Sequence, residues 1–210
     1  MGSAVIWDLD GTLLDSYDVI VESLYLAMQE SGVPMGREHI RKYALGSSIK
    51  ALFAAVAGDD ETLLGLLKQR YSRISGGKYL QIKAMPNALQ TLQRLTDMGV
   101  RNYVFTHRGQ TTLPVLDNLG MTKYFLEILT SQSGFPRKPA PEAITYLLEH
   151  NDLDPAKTYY VGDRSLDMVC ASNGGIAGIL LRRPGALDVS DGSETYVVSD
   201  LLQVTDIVIK

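Results

Sequence analysis

Cysteine is almost absent from this 210-residue sequence: Cys170 stands alone, so no internal disulfide can form and a reducing compartment is expected. No apolar run approaches the roughly 20 residues that a bilayer crossing needs. The N-terminus has no basic segment leading into a hydrophobic signal core. Ile6 stands where a myristoylation signal wants Ser or Thr, and Gly2 lies directly before an apolar run, which speaks against lipidation. The chain is therefore expected to be cytoplasmic, with no membrane partner. Long runs of positive charge are absent as well. The formal net charge is −4, and no run of Lys or Arg is long enough to track a phosphate backbone, so nucleic acid is not expected as a partner. No internal repeat or low-complexity segment is visible.

What is present is an ordinary globular composition, with 45% hydrophobic and 21% charged residues. That excludes disorder and fibrous repeats. A chain of this length buries one substantial core and has room for a small second lobe.

Several short apolar runs end in polar or Gly-rich turns: Ala4 to Trp7, Asn102 to Phe105, Leu126 to Leu129, Thr158 to Val161 and Ile176 to Leu181. They have strand length and are mostly apolar on both faces, as parallel strands covered by helices must be. Helical patterns lie between them, such as Leu89, Leu92, Leu95 and Met98 before Gly99, and Ile144, Leu147 and Leu148 after Pro141. Alternating strands and helices predict an α/β fold, a parallel sheet with helices on both faces. A last short strand and helix are expected over Thr195 to Ser199 and Asp200 to Val208.

The stretch 16–83 breaks this alternation. It holds only helical patterns, about Tyr17 to Ser31, Arg37 to Leu45, Ser48 to Val56 and Glu61 to Ile74. Four helices without a strand predict a small helical cap at 16–83, inserted into a core made of 1–15 and 84–210. Ser75-Gly76-Gly77 and Met85-Pro86 mark the return toward the core.

In an open parallel sheet, ligands bind outside the carboxyl ends of the strands. The polar residues that follow each run should therefore converge. These are Asp8-Leu9-Asp10-Gly11-Thr12 after the first run, Thr106-His107-Arg108 after the second, and Gly162-Asp163-Arg164-Ser165-Leu166-Asp167 after the fourth. Lys138-Pro139 lies in the connection after the third. Taken singly, an acid beside a glycine at a strand end is most often a turn former, and a lone lysine a solvated surface group. As an ordered set, they bring acids, a hydroxyl and a lysine to the same end of successive strands, which turn formation alone does not explain.

The set resembles the four motifs of the haloacid dehalogenase-like superfamily, in order and across essentially the whole chain. Asp8-Leu9-Asp10-Gly11-Thr12, followed by Leu13-Leu14-Asp15-Ser16, is the most specific piece. By composition alone such a five-residue match arises in roughly one of a few hundred chains of this length. The helical cap inserted after the first motif is similar to the phosphoglycolate phosphatase and β-phosphoglucomutase branch. The resemblance implies a Rossmann-like core and a Mg²⁺-dependent phosphatase acting on a small phosphorylated metabolite through an aspartyl phosphate. A monomer or weak homodimer is expected.

Two carboxylates within three positions at a strand end repel one another unless a cation sits among them, and Mg²⁺ prefers carboxylate and carbonyl oxygens with water and phosphate. Asp8 and Asp163 are the expected ligands, with the main-chain carbonyl of Asp10 as the resemblance implies, and Asp167 through water or as a support. Phosphoryl transfer needs an in-line nucleophile and neutralised equatorial oxygens. The resemblance gives the first task to Asp8. The second falls to Thr106, Lys138 and backbone N–H groups near Gly11 and His107. Asp10 is expected to protonate the leaving alkoxide and then deprotonate water. Gly11 permits the sharp turn, and Thr12 is expected to help hold Asp10.

His107 stands where the family more commonly has Asn, and either substrate contact or a local structural hydrogen bond fits it. Arg108 is a candidate for phosphate binding, alongside Gly11, Thr12, Thr106, His107 and Lys138; Arg164 offers further positive charge. Cys170 and Trp7 read as packing. Three competing readings have features that test them. A receiver module of a signalling protein also has an Asp acceptor, a Thr and a Lys-Pro, but there Lys-Pro comes last, whereas Lys138-Pro139 precedes Gly162-Asp163. Dehalogenases and phosphonate-cleaving members lack the acid at Asp10. A sugar-phosphate mutase keeps both acids and is the main alternative. In the cap, the loop Leu45-Gly46-Ser47-Ser48 and the nearby Arg41, Lys42, Lys50 and Tyr17 are candidates for choosing the substrate.

Overall fold

The structure, a computed structural model, describes residues 2–46, 48–183 and 191–209. Its strands are β1 (Ala4–Trp7), β2 (Leu14–Asp15), β3 (Lys83–Ala84), β4 (Arg101–Phe105), β5 (Phe125–Leu129), β6 (Thr158–Gly162), β7 (Ala177–Leu181) and β8 (Tyr196–Val198). Its helices are α1 (Tyr17–Glu30), α2 (Arg37–Gly46), α3 (Ile49–Ala57), α4 (Glu61–Gly76), α5 (Ala88–Asp97), α6 (Thr112–Asn118), α7 (Glu142–His150), α8 (Ser165–Asn173) and α9 (Leu202–Val208). Among the described residues no helix is long and apolar enough to cross a membrane.

Six strands form one parallel sheet in the order β5-β4-β1-β6-β7-β8. All four residues of β1 are buried, and Ile6 pairs with Tyr103 on one side and Tyr160 on the other. From β1 the chain moves outward through β4 and β5, then returns to the other side of β1 for β6 to β8. The order reverses at β1, and the crevice outside the carboxyl ends of β1, β4 and β6 is where such a sheet binds ligands.

One face of the sheet packs Ile6, Tyr103, Phe105 and Tyr160 against Ile144 and Leu147 of α7 and Met168 of α8. On the other, the Trp7 indole N–H donates to Asn102 Oδ1 at 2.9 Å, satisfying two buried polar groups inside apolar surroundings. Helix α5 buries Ala88, Thr91, Leu92 and Leu95. It ends where Gly99 takes φ +76 and the Val100 N–H turns back to the Leu95 carbonyl, a helix stop that a side chain at Gly99 would strain.

The chain divides into two compact units, Met1–Asp15 with Lys83–Lys210, and Ser16–Ile82. The second consists of α1 to α4 around its own core of Ile20, Val21, Leu24, Met28, Ile40, Leu52, Phe53 and Leu67. Ser48 and Asp60 cap α3 and α4 by accepting from the N–H groups of Ala51 and Leu63.

Three of these elements went unread in the sequence. The antiparallel pair β2 and β3 has two residues per strand, too short for any periodicity, and pairs Asp15 with Lys83. It joins Lys83 to the sheet unit, one residue earlier than the expected boundary of 16–83. Helix α6 has seven residues, and its apolar contribution is little more than Val115 and Leu116.

Candidate active site

The first motif is shaped by its backbone. Asp8 N–H donates to the Val161 carbonyl at 2.9 Å, extending the ladder between β1 and β6 one residue past the strand. The Leu9 carbonyl then accepts from the N–H groups of Thr12, Leu13 and Leu14 at 3.1, 3.0 and 2.8 Å. Gly11 sits at φ +87 within this turn, where a side chain would be strained. The result sends the carboxylates of Asp8 and Asp10 to separate surroundings.

Asp8 faces Lys138. The Lys138 Nζ lies 2.7 Å from Asp8 Oδ1 and 2.7 Å from Asp167 Oδ1, and its side chain is only 3% exposed. The ammonium also rests 5.3 and 5.2 Å from the ring centroids of Phe105 and Tyr160. The second oxygen of Asp167 accepts from the Arg164 N–H at 3.2 Å. Carboxylate oxygens of Asp8, Asp163 and Asp167 all lie within 4.8 Å of one another. Burial pushes Asp8 up to about 7, against the pull of Lys138 and with the charge of Asp167 adding to the rise. Burial pulls Lys138 down, but the carboxylates of Asp167 and Asp8 more than offset it, and its proton is held more firmly than usual. The cluster thus carries more negative charge than one lysine balances.

This donor set fits Mg²⁺: three hard carboxylates converge, no soft ligand is among them, and Asp8 stays difficult to ionise despite the Lys138 ammonium beside it. The carboxylate of Asp10 belongs to a different contact. Its Oδ1 lies 3.1 Å from Arg108 Nη1.

Thr106 follows β4, is buried, and donates its N–H to the Leu129 carbonyl at 3.0 Å; its hydroxyl oxygen accepts from the Arg108 N–H at 3.1 Å. His107 Nε2 accepts from the Lys138 N–H at 2.9 Å, and Nδ1 lies 3.0 Å from Arg137 Nη2. Burial, and then the charges of Lys138, Arg137 and Arg164, hold the ring down to about 3, so it is neutral near pH 7. His107 thereby fixes the backbone at Lys138.

The sheet unit brings together Asp8, Asp10, Gly11, Thr12, Thr106, His107, Arg108, Lys138, Asp163 and Asp167. Thr12 does not play the part expected of it. Its hydroxyl is buried and has no hydrogen-bond partner among the described residues, because the turn directs it inward, and Arg108 holds Asp10 in its place. The cap candidates lie in the helical unit. There Arg41 is paired with Asp18, Lys50 is exposed on α3, and Ser47 falls outside the described residues. Sequence reasoning named Gly162 but gave it no role. A Cβ there would meet the carboxylate of Asp167. The signal available was a glycine directly before the acid at a strand end. Arg137, beside Lys138, was passed over as well.

Residues 5–181 match the model of the family described as haloacid dehalogenase-like hydrolase. Among curated relatives, the phosphoglycolate phosphatase of Vibrio parahaemolyticus is 24% identical over 97% of this chain and 95% of its own length. That of Pasteurella multocida is 28% identical over 96% of each. Solved structures agree in fold. The predicted phosphoglycolate phosphatase of Haemophilus somnus superposes with a TM-score of 0.87 at 21% identity, covering 98% of this chain and 97% of that one. A haloacid dehalogenase-like family hydrolase of Streptococcus pneumoniae gives 0.82 at 21% identity, covering 98% of each. With the motif residues assembled at the carboxyl ends of β1, β4 and β6, and the family match running from β1 through β7, this chain belongs to the haloacid dehalogenase-like hydrolases.

Proposed function

We propose that the protein is a Mg²⁺-dependent phosphatase that hydrolyses a small phosphorylated metabolite through an aspartyl phosphate on Asp8. The observation that carries this reading is the buried Lys138 ammonium, 2.7 Å from both Asp8 and Asp167 in a cluster completed by Asp163. A phosphoryl group placed there meets a nucleophile and a fixed cation at one point.

Asp8 and Asp163 would hold the metal, with the main-chain carbonyl of Asp10; Asp167, both of whose oxygens already accept hydrogen bonds, would support it or reach it through water. When bound, Mg²⁺ neutralises the carboxylates and draws charge from the phosphoryl oxygens. The carboxylate of Asp8 attacks phosphorus in line with the departing oxygen. Lys138 and Thr106 stabilise the charge that spreads over the equatorial oxygens. Asp10 gives a proton to the leaving alcohol, then takes one from the water that cleaves the aspartyl phosphate. The helical unit selects what is admitted. The protein acts in the cytoplasm as a monomer or weak homodimer.

Phosphoglycolate is the first substrate to test, because the curated relatives at 24% and 28% identity carry that name. A panel of phosphorylated metabolites assayed with and without Mg²⁺ tests the whole reading. Turnover of one or a few small phosphate monoesters, abolished by chelation, is expected. Undiminished turnover in excess chelator, or none with any ester, overturns it.

A further inference from the structure

Arg108 reaches from the loop after β4 to Asp10, a residue 98 positions earlier, with Nη1 3.1 Å from Oδ1. Its side chain is 10% exposed and that of Asp10 is 23% exposed. A guanidinium so far removed from water requires an anion beside it, since an unpaired buried charge is strongly unfavourable. Asp10 is that anion.

The surroundings make this contact the one that orients Asp10. The backbone at Asp10 is fixed by its bridge to Leu14 and by the Gly11 N–H on the Leu14 carbonyl. That sets where the side chain starts and leaves its rotation open. The neighbouring Thr12 hydroxyl makes no hydrogen bond among the described residues. Arg108 is itself anchored, its N–H donating to Thr106 Oγ1 at 3.1 Å. Its Nε is buried with no hydrogen-bond partner among the described residues, so Asp10 rather than the surrounding wall sets where the guanidinium points.

We infer that Arg108 is a positioning residue, holding one oxygen of Asp10 so that the other is presented to the oxygen of the leaving alcohol. The inference rests on the proposed role of Asp10 as proton donor. In that step the bond from Asp8 to phosphorus forms and the ester P–O bond breaks. The electron pair goes to the leaving oxygen, which takes the proton carried by the Asp10 oxygen that Arg108 does not hold; Asp10 enters this step protonated and leaves it as the carboxylate anion that pairs with Arg108, whose guanidinium is unchanged.

The dependence of rate on the leaving group tests this. An alkoxide needs a proton as it departs, whereas p-nitrophenolate is stable without one. The ratio kcat/KM covers steps only through that departure. For Arg108→Met we expect kcat/KM toward the fastest alkyl phosphate of the wild type to fall about 10²-fold, and the fall toward p-nitrophenyl phosphate to be about tenfold smaller. Arg108→Lys should recover part of the alkyl activity. Circular dichroism establishes that each variant is folded. If Arg108→Met is not, Arg108→Lys carries the same comparison, with a smaller shift of the same sign. Equal losses on both esters, appearing in KM, overturn the inference and make Arg108 a ligand of the phosphoryl group. Asp10→Asn separates the two readings. It should penalise the alkyl ester selectively; if it does and the folded Arg108 variants do not, positioning fails alone. If Asp10→Asn penalises both esters equally, the proton-donor role itself fails.

Discussion

A Cβ placed on Gly162 would lie 2.4 Å from the Cβ, Cγ and Oδ2 of Asp167. The end of β6 and the first turn of α8 approach so closely that only a hydrogen fits between them. That approach brings the Asp167 carboxylate to Lys138 Nζ. For Gly162→Ala we expect the carboxylate to be displaced, with stability lower by about 1–3 kcal/mol through overpacking. Turnover should fall about 10²-fold because the cluster around Lys138 loses its geometry. Chemical denaturation and steady-state rates measure both; an unchanged rate would mean that Asp167 is not needed where it stands.

Asp8→Asn should abolish turnover, by roughly 10³- to 10⁶-fold, because the amide keeps the shape and is a very poor nucleophile toward phosphorus. The fold should survive, since the substitution removes a buried carboxylate whose ionisation burial already opposes. Mass spectrometry of wild-type protein reacted with a phosphoryl mimic should find the label on Asp8. Label on another acid would place the nucleophile there.

Mg²⁺ should stabilise the protein, and more so at alkaline than at acid pH. Without metal, burial raises the folded-state pKa of Asp8 from 3.8 to about 7. The folded protein then binds a proton that the unfolded chain has already lost. The contribution of Asp8 to the metal-free stability is therefore greatest below the unfolded value and is lost as pH rises through about 7. Mg²⁺ at about 100 times its Kd should raise Tm by about 5–10 °C near pH 8. The increment should shrink near pH 5.5, where the proton competes, and be reduced in Asp163→Asn. Thermal melts with Mg²⁺ and with chelator read this directly; an equal increment at both pH values counts against Asp8 as a ligand.

His107→Asn should flatten the acid side of the stability profile. The folded pKa of His107 is lowered from 6.5 to about 3 by burial and by the charges of Lys138, Arg137 and Arg164. The unfolded chain therefore binds the proton first. This contribution is present above about 6.5 and is lost as pH falls toward 3. Asparagine retains an oxygen to accept from the Lys138 N–H and does not titrate in this range. Urea midpoints near pH 7 and pH 4.5 should differ less in the variant than in the wild type. An equal difference would show that other groups govern the acid limb.

Much of this was legible in local sequence. β1, β4, β6 and β7 are mostly buried and mostly apolar, with Arg101, Asn102 and Thr158 at the starts of β4 and β6 as the polar exceptions, and burial on both faces leaves a nearly continuous hydrophobic string. Asp8, Thr106 and Asp163 were legible because each lies where an apolar run stops, whereas Lys138 lies in the connection between β5 and α7. The pair β2 and β3 and helix α6 were not legible, because two residues have no period and seven show little of one.

The sequence by itself determined the parallel α/β sheet, the helical insertion and the family, because these depend on periodicity and on motifs read along one stretch of chain. Only the tertiary structure decided which charges meet. It set Lys138 between Asp8 and Asp167, gave Asp10 to Arg108 instead of Thr12, and turned His107 onto the backbone of Lys138. Such contacts join residues up to 130 positions apart. Their partners are set by how the strand ends converge and by which charges burial forces to pair, and neither leaves a pattern in the local sequence.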